Sequence, residues 1–408
     1  MDLLHERCAG LDVHKETVVA AARLVEDGRI IEHIETFSTT TKGLLALSDF
    51  LTGHGVTHVV MEATGVYWRP VWHILDGHFE LTLANAAHVR NVPGRKSDVK
   101  DASWLARLVA HGLVSPSFVP PQPIEELRQL TRTRKQLVHE TSRHALRIQK
   151  VLEDANIKIG NVVTDVLGAT GRAILDKIIA GVTDPQVLAA EARGSLKDKR
   201  AQLAEALHGR VTDHHRFLLK LHLSTIALLA DQIAQLDERL GGALSPFRYA
   251  VDQVRTIPGI GELTARVVIA EIGVDMSQFP SPRHLISWSG LCPRSDESAG
   301  KTRSTRARKA SPWLKAMLTQ AAWGAARSKR TYLQAQYFRI KARRGSKKAV
   351  LAVAASMLTI VWHLLTRGTL YEDLGHDYFD RRDKARAAKR HIRRLNDLGY
   401  KVELTAMA

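Results

Sequence analysis

Two aspartates three residues apart, in Lys96-Ser97-Asp98-Val99-Lys100-Asp101-Ala102-Ser103-Trp104-Leu105-Ala106, are the first feature with chemical content. Ser97 or Asp98 suits a helix N-cap, and Trp104, Leu105 and Leu108 supply an apolar face. Asp98 and Asp101 then project from one face of that helix. Carboxylates so close repel each other, and Arg95, Lys96 and Lys100 offset this only in part, so a divalent cation is one way to keep both ionised. The plainer reading is an acidic first turn that complements the helix dipole, worth about 0.3–1 kcal/mol per charge. Further acids bear on the choice. Asp12 lies in the apolar strand that begins at Cys8, where a charge is costly unless paired or at an edge; taken alone, it reads slightly better as a turn residue between hairpin strands. Glu62 ends the apolar run from Thr57 just ahead of Gly65, at the carboxyl end of a strand where α/β sheets put their sites. Four acids on three elements can surround two Mg²⁺ ions about 3.5–4 Å apart, an arrangement that stabilises attacking and leaving oxygens in phosphoryl transfer. His14, His54, His58, His73, His88 and His111 show no zinc-binding spacing.

A second chemical stretch lies far downstream, at Ser289-Gly290-Leu291-Cys292-Pro293-Arg294-Ser295-Asp296-Glu297-Ser298-Ala299-Gly300-Lys301. It continues through Arg303, Arg306, Arg308 and Lys309 with no acid, and Pro312-Trp313-Leu314 then opens a helix. This is a polar, glycine-bearing loop beside strong positive charge, and most serines in such loops are solvated. A serine hydroxyl attacks a phosphodiester only if something activates it and stabilises the developing charge, which nearby Arg and Lys together with a metal cluster can do. Between the two stretches, Ile257-Pro258-Gly259-Ile260-Gly261 opens a helix in the manner of a helix-hairpin-helix. There the backbone N–H groups near Gly259 and Gly261 can meet a phosphate, although helix–helix packing explains the same turn.

The positioning elements follow from composition and periodicity. The 408 residues carry a formal charge of +17, which points to a polyanionic partner, most simply nucleic acid. Only Cys8 and Cys292 occur, so a disulfide framework is not expected and a reducing cytoplasm fits. Met1 to Arg7 lacks the apolar core of a signal peptide, and the apolar run Ala349 to Leu365 reads as a buried core helix. Residues 1–115 read as an α/β domain; 116–123, with Pro116, Pro120, Pro121 and Pro123, as a linker. Residues 124–245 read as helical, with apolar seams at Val138, Thr141, Ala145, Ile148 and Leu152 and at Leu219, Ile226, Leu229, Ile233 and Leu240, and a smaller helical insertion between. The seams suit a helical hairpin or a coiled coil, and their partner is each other or another subunit. Residues 246–370 read as a mainly helical domain carrying the serine loop, and 371–408 as a basic tail.

The order strand-Asp, strand-Glu, helix-Asp resembles the RuvC-like branch of the ribonuclease H fold, and Asp98-Val99-Lys100-Asp101 resembles its DEDD version. Over essentially its whole length the chain resembles the insertion sequence 110 family of transposases, the bridge-RNA-guided DNA recombinases. The resemblance rests on Gly10-Leu11-Asp12-Val13-His14-Lys15, Met61-Glu62-Ala63-Thr64-Gly65, Lys96 to Ala102, Ile257 to Gly261, and Gly290-Leu291-Cys292-Pro293-Arg294 with Glu297-Ser298 beyond. It implies a RuvC-like domain, a coiled-coil domain and a C-terminal transposase domain acting as a dimer or tetramer on RNA-bound donor and target DNA. It also implies that Asp12, Glu62, Asp98 and Asp101 hold Mg²⁺ (or Mn²⁺), and that Ser298 is the nucleophile. Arg294, Lys301, Arg303, Arg306, Arg308 and Lys309 are then expected on nucleic acid. Two other readings stay open: a metal-dependent nuclease with water as nucleophile, and a non-enzymatic scaffold whose acids only cap and pair.

Overall fold

The computed structural model describes residues 3–63, 65–84, 101–293, 296–298, 301–304 and 310–403, with 296–298 and 301–304 described as backbone. The chain divides into two compact units, Met1–Val119 and Pro120–Ala408.

The first unit is a five-stranded sheet with helices on both faces. Its strands are β1 (Arg7–Val13), β2 (Thr17–Glu26), β3 (Arg29–Ser38), β4 (His58–Glu62) and β5 (Glu80–Ala84). The order is β3-β2-β1-β4-β5. The first three strands are antiparallel, whereas β1–β4 and β4–β5 are parallel. Helix α1 (Thr41–Gly53), capped by the Thr40 hydroxyl on the Gly43 amide, and helix α2 (Trp68–Leu75) cover one face. Leu44, Leu47 and Leu51 of α1 meet Leu11, Val13, Val59 and Met61 there. Helix α3 (Asp101–Ala110) covers the other, packing Leu105, Leu108 and Val109 on Cys8 and Val60. The central strands are buried on both sides, which explains their near-continuous apolar runs. The proline-rich stretch begins as an extension of this sheet, since the Ser117 amide donates to the Leu83 carbonyl at 2.8 Å.

Among its described residues the second unit is helical apart from one hairpin. Helix α4 (Gln122–Asp154) starts with Pro123 in its first turn, where the missing N–H costs nothing. It runs antiparallel to α8 (Asp213–Ala243): Arg134 pairs with Asp237, His144 with His222 and Asp154 with His215, one number rising as the other falls. The two seams therefore meet within one chain. Helices α5 (Ala169–Ile179), α6 (Pro185–Ala189) and α7 (Arg200–Ala206) close the far end over Ile148, Leu152, Leu219 and Leu223.

Beyond α8 come α9 (Arg248–Arg255), α10 (Glu262–Ile272), α11 (Pro282–Trp288) and the hairpin β6 (Asp296–Ser298)–β7 (Lys301–Ser304). Then follow α12 (Pro312–Arg327), α13 (Tyr332–Arg344), α14 (Ser346–Arg367), α15 (Tyr378–Arg382) and α16 (Lys384–Asp397). By length and composition α8 and α14 are apolar enough to cross a membrane. In this fold α14 buries Val350, Val353, Ala354, Met357, Leu358 and Val361, while α8 leaves Phe217, Leu221 and Leu228 exposed.

Candidate active site

The first unit brings three of the four predicted acids to one end and one face of the sheet. In β1 the odd positions Ala9, Leu11 and Val13 enter the core under α1 and α2, so Cys8, Gly10 and Asp12 point to α3. In β4, Val59 and Met61 share that core and Val60 faces α3, so Glu62 does too. The parallel register pairs Gly10 with Val60 and Leu11 with Met61, and one more step sets Asp12 beside Glu62 at the carboxyl ends of neighbouring strands.

Helix α3 reaches the same place. The Cys8 thiol donates to the Ala106 carbonyl at 3.4 Å, and a Cβ added to Gly10 would lie 2.1 Å from the Ala102 carbonyl oxygen. Only glycine permits this approach. Ala102 thus stands over Gly10, and Asp101, one residue earlier and four before the sheet-facing Leu105, opens α3 on the same face, toward the Asp12 end of β1. The Asp12 side chain is 22% exposed and 3.2 Å from His14 Nε2. Asp98 lies outside the described residues. Among the described residues no three His, Cys, Asp or Glu side chains form a metal-holding group, so Asp12, Glu62 and Asp101 share a face without closing a ligand set. As donors they are hard oxygens, which suit Mg²⁺ or Mn²⁺ and not a thiolate- or imidazole-seeking metal.

The second unit holds the serine. Ser298 is the last residue of β6 and pairs with Lys301, the first of β7, so it stands at the tip of a two-stranded hairpin. Arg303 sits where the ladder register shifts; Arg294, Arg306, Arg308 and Lys309 lie outside the described residues.

The Pro-Gly-Ile-Gly turn connects α9 to α10. Gly259 has φ +89°, and a Cβ there would lie 2.4 Å from the Ala321 carbonyl oxygen and the Ala325 amide, so this glycine is needed for packing against α12. Gly261 is the N-cap of α10, with open space where its Cβ would be. Glu262 follows in the first turn, paired with Arg266, and its charge competes with a phosphate for the same amides.

One residue absent from the sequence-level expectations organises this unit. Glu271, in the apolar run Val267–Ile272, is fully buried and is gripped by Arg132, whose Nε and Nη2 donate to its two oxygens at 2.8 and 2.9 Å. The signal was present: an acid inside an apolar helix, the same logic that singles out Asp12.

Comparison with known proteins then speaks to the family. A transposase family model, the DEDD transposase of IS110, matches residues 9–157, the span that holds Asp12, Glu62, Asp98 and Asp101. A second, Transposase IS116/IS110/IS902 family, matches residues 251–338, which include the glycine turn, Glu271 and Ser298. The transposase for insertion sequence element IS1111A of Coxiella burnetii is 25% identical over 322 residues, 77% of this chain and 79% of that one. The pilin gene-inverting protein of Moraxella lacunata is 24% identical over 277 residues, 64% of this chain; the chain spans 66% of that relative's length. The insertion element IS110 protein of Streptomyces coelicolor is 28% identical over 154 residues, 36% of each chain. With two models of the same transposase family matched one after the other along it, the chain belongs to the IS110 family of transposases.

Proposed function

We propose that the chain cuts and rejoins DNA strands through a covalent serine–DNA intermediate, guided by a bridge RNA that pairs with donor and target DNA. The observation that carries this reading is the placement of Asp12 and Glu62 side by side at the carboxyl ends of parallel β1 and β4, with Asp101 opening α3 at the same end. Such an acid-lined corner on a sheet suits divalent-ion phosphoryl transfer, and Asp98 completes the set in a RuvC-like domain.

In the proposed step the Ser298 hydroxyl gives up its proton, its oxygen forms a bond to a backbone phosphorus, and the bond to the departing deoxyribose oxygen breaks as that oxygen takes up a proton. The reverse reaction with an exchanged strand rejoins the DNA and frees the serine. Because one phosphodiester replaces another, no nucleoside triphosphate is consumed. Asp12, Glu62, Asp98 and Asp101 would hold Mg²⁺, with Mn²⁺ as substitute, and the ion supplies positive charge against the charge developing on the phosphate oxygens. Lys301 and Arg303 in the hairpin, with Arg294, Arg306, Arg308 and Lys309 flanking it in sequence, steer and hold the DNA backbone, and the amide of Gly261 is a further phosphate contact.

The domain reading is 1–115 for the metal-holding domain, 124–245 for the helical arm, 246–370 for the serine domain and 371–408 for a basic tail. Acids and serine from different copies of a dimer or tetramer build one site, working on DNA in the cytoplasm. The test is strand cleavage by Ser298→Ala on DNA spanning the ends of the element that carries the chain's reading frame, with the RNA that co-purifies. Loss of cleavage with retained DNA binding is expected. Cleavage at an undiminished rate means that water, not Ser298, is the nucleophile.

A further inference from the structure

Glu271 does more than neutralise two arginines. Its Oε2 also accepts a hydrogen bond from the Ser311 hydroxyl at 3.1 Å, and Ser311 is the N-cap of α12, facing the Leu314 amide at 3.5 Å. Arg128, on the same face of α4 as Arg132, donates to the backbone carbonyls of Glu271 and Ala270 at 2.5 and 3.4 Å. The Trp313 ring, in the first turn of α12, lies 5.7 Å from the Arg132 guanidinium carbon and 5.5 Å from the Lys135 ammonium. Helices α4, α10 and α12 are thus pinned together at one buried carboxylate.

The serine hairpin hangs from this joint at both ends. Downstream, the chain leaves β7 and reaches Ser311 itself. Upstream, it enters through Gly290, whose carbonyl accepts from the Lys315 ammonium, one turn into α12, at 3.1 Å. Ser289 beside it is fully buried, with its hydroxyl on the Ile286 carbonyl at 2.9 Å. Both attachments of the segment from Leu291 to Ala310 therefore rest on the first turn of α12. That turn rests through Glu271 on the long arm α4.

We propose that Glu271 and Ser311 are positioning residues for the nucleophile. They tie both ends of the segment that carries Ser298 to α12 and, through Glu271, to α4, which limits where the hydroxyl can be presented. The inference rests on Ser298 being the attacking group.

The test compares Ser311→Ala, Ser311→Thr and Glu271→Gln with wild type in the full-length protein carrying its co-purified RNA. Three quantities are read on element-end DNA: the rate of covalent protein–DNA adduct formation, the DNA dissociation constant and the melting temperature. Asp154→Asn, which breaks the pair with His215 about 33 Å along α4 from Arg132, serves as the control for lost helix stability. Ser311→Ala and Glu271→Gln are expected to slow the adduct at least tenfold with DNA affinity within twofold. Ser311→Thr should restore the rate to within threefold. Asp154→Asn should form adduct at the wild-type rate whatever its melting temperature. Wild-type rates for Ser311→Ala and Glu271→Gln overturn the proposal, as does a rate loss that follows melting temperature across all four variants. If wild type cleaves DNA without a Ser298 adduct, the nucleophile reading fails separately. The nicking rate then replaces the adduct rate, and its insensitivity to Ser311→Ala would end the positioning role as well.

Discussion

Asp12 and Glu62 are costly residues for the fold to keep. Each ends an apolar strand beside buried neighbours, and nothing in the packing of Gly10 or Val60 calls for an acid at the next position. If they serve phosphoryl transfer, Asp12→Asn and Glu62→Gln should each lower strand cleavage by about 100-fold or more, as expected for losing several kcal/mol of charge stabilisation, while DNA binding stays intact. Cleavage and filter-binding assays on the same preparations check this. Gly10 is subject to a steric limit: Gly10→Ala puts a Cβ 2.1 Å from the Ala102 carbonyl oxygen, so α3 must shift. Overpacking of this kind costs about 1–3 kcal/mol. It should appear as a lower urea midpoint together with reduced cleavage, because the shift moves Asp101. The acids were legible in the sequence because a charge at the end of an apolar run has few structural uses. Glu271 carried a similar mark and went unread, since its partners Arg132 and Ser311 are 139 and 40 residues away in sequence and no local pattern joins them.

Among the elements, β1, β4 and α3 were readable from apolar runs and from the aspartates at the helix start. Strand β3 was not anticipated, although Asp27 and Gly28, both with positive φ, make the tight turn that Asp-Gly announces between strands. Its residues from Arg29 to Thr36 are exposed and mix Ile with Glu and His, so the alternation that marks a half-buried strand is missing. The hairpin bearing Ser298 read only as a polar loop for a related reason: its strands are three and four residues long and almost wholly polar. The glycine turn separates two uses of one motif. Gly259→Ala should destabilise the fold, given φ +89° and contacts at 2.4 Å, whereas Gly261→Ala, at ordinary φ and with open space, should leave the melting temperature near wild type. A drop in DNA affinity for Gly261→Ala alone would mark the phosphate contact. In the α4–α8 arm, burial and then the neighbouring His144 and Arg147 hold His222 below its ordinary value of 6.5. The unfolded chain then binds this proton more readily than the folded one. Stability is therefore full above 6.5 and falls as pH drops through the lower folded value. Urea midpoints at about pH 7.5 and pH 5 should differ more for wild type than for His222→Gln.

For the molecule as a whole, the formal charge of +17 acts at longer range than any one side chain. Log affinity for duplex DNA should fall steeply with log salt, and the slope should shrink by about 0.9 for every phosphate-contacting cation removed. A triple change Arg306→Gln, Arg308→Gln and Lys309→Gln tests whether that charge works at the serine hairpin: a shallower slope is expected there, and an unchanged one assigns the contacts elsewhere. The division between Val119 and Pro120 puts the acids in one unit and the serine in the other, so the proposed reaction requires one phosphate to meet both. The most direct measurement is to trap the protein on its own element-end DNA, digest both, and identify the residue carrying the nucleotide by mass spectrometry. The account predicts a phosphodiester on Ser298, absent from Glu62→Gln and from reactions without divalent metal. A nucleotide on a tyrosine or on Ser295, or cleaved DNA with no adduct at all, would contradict it.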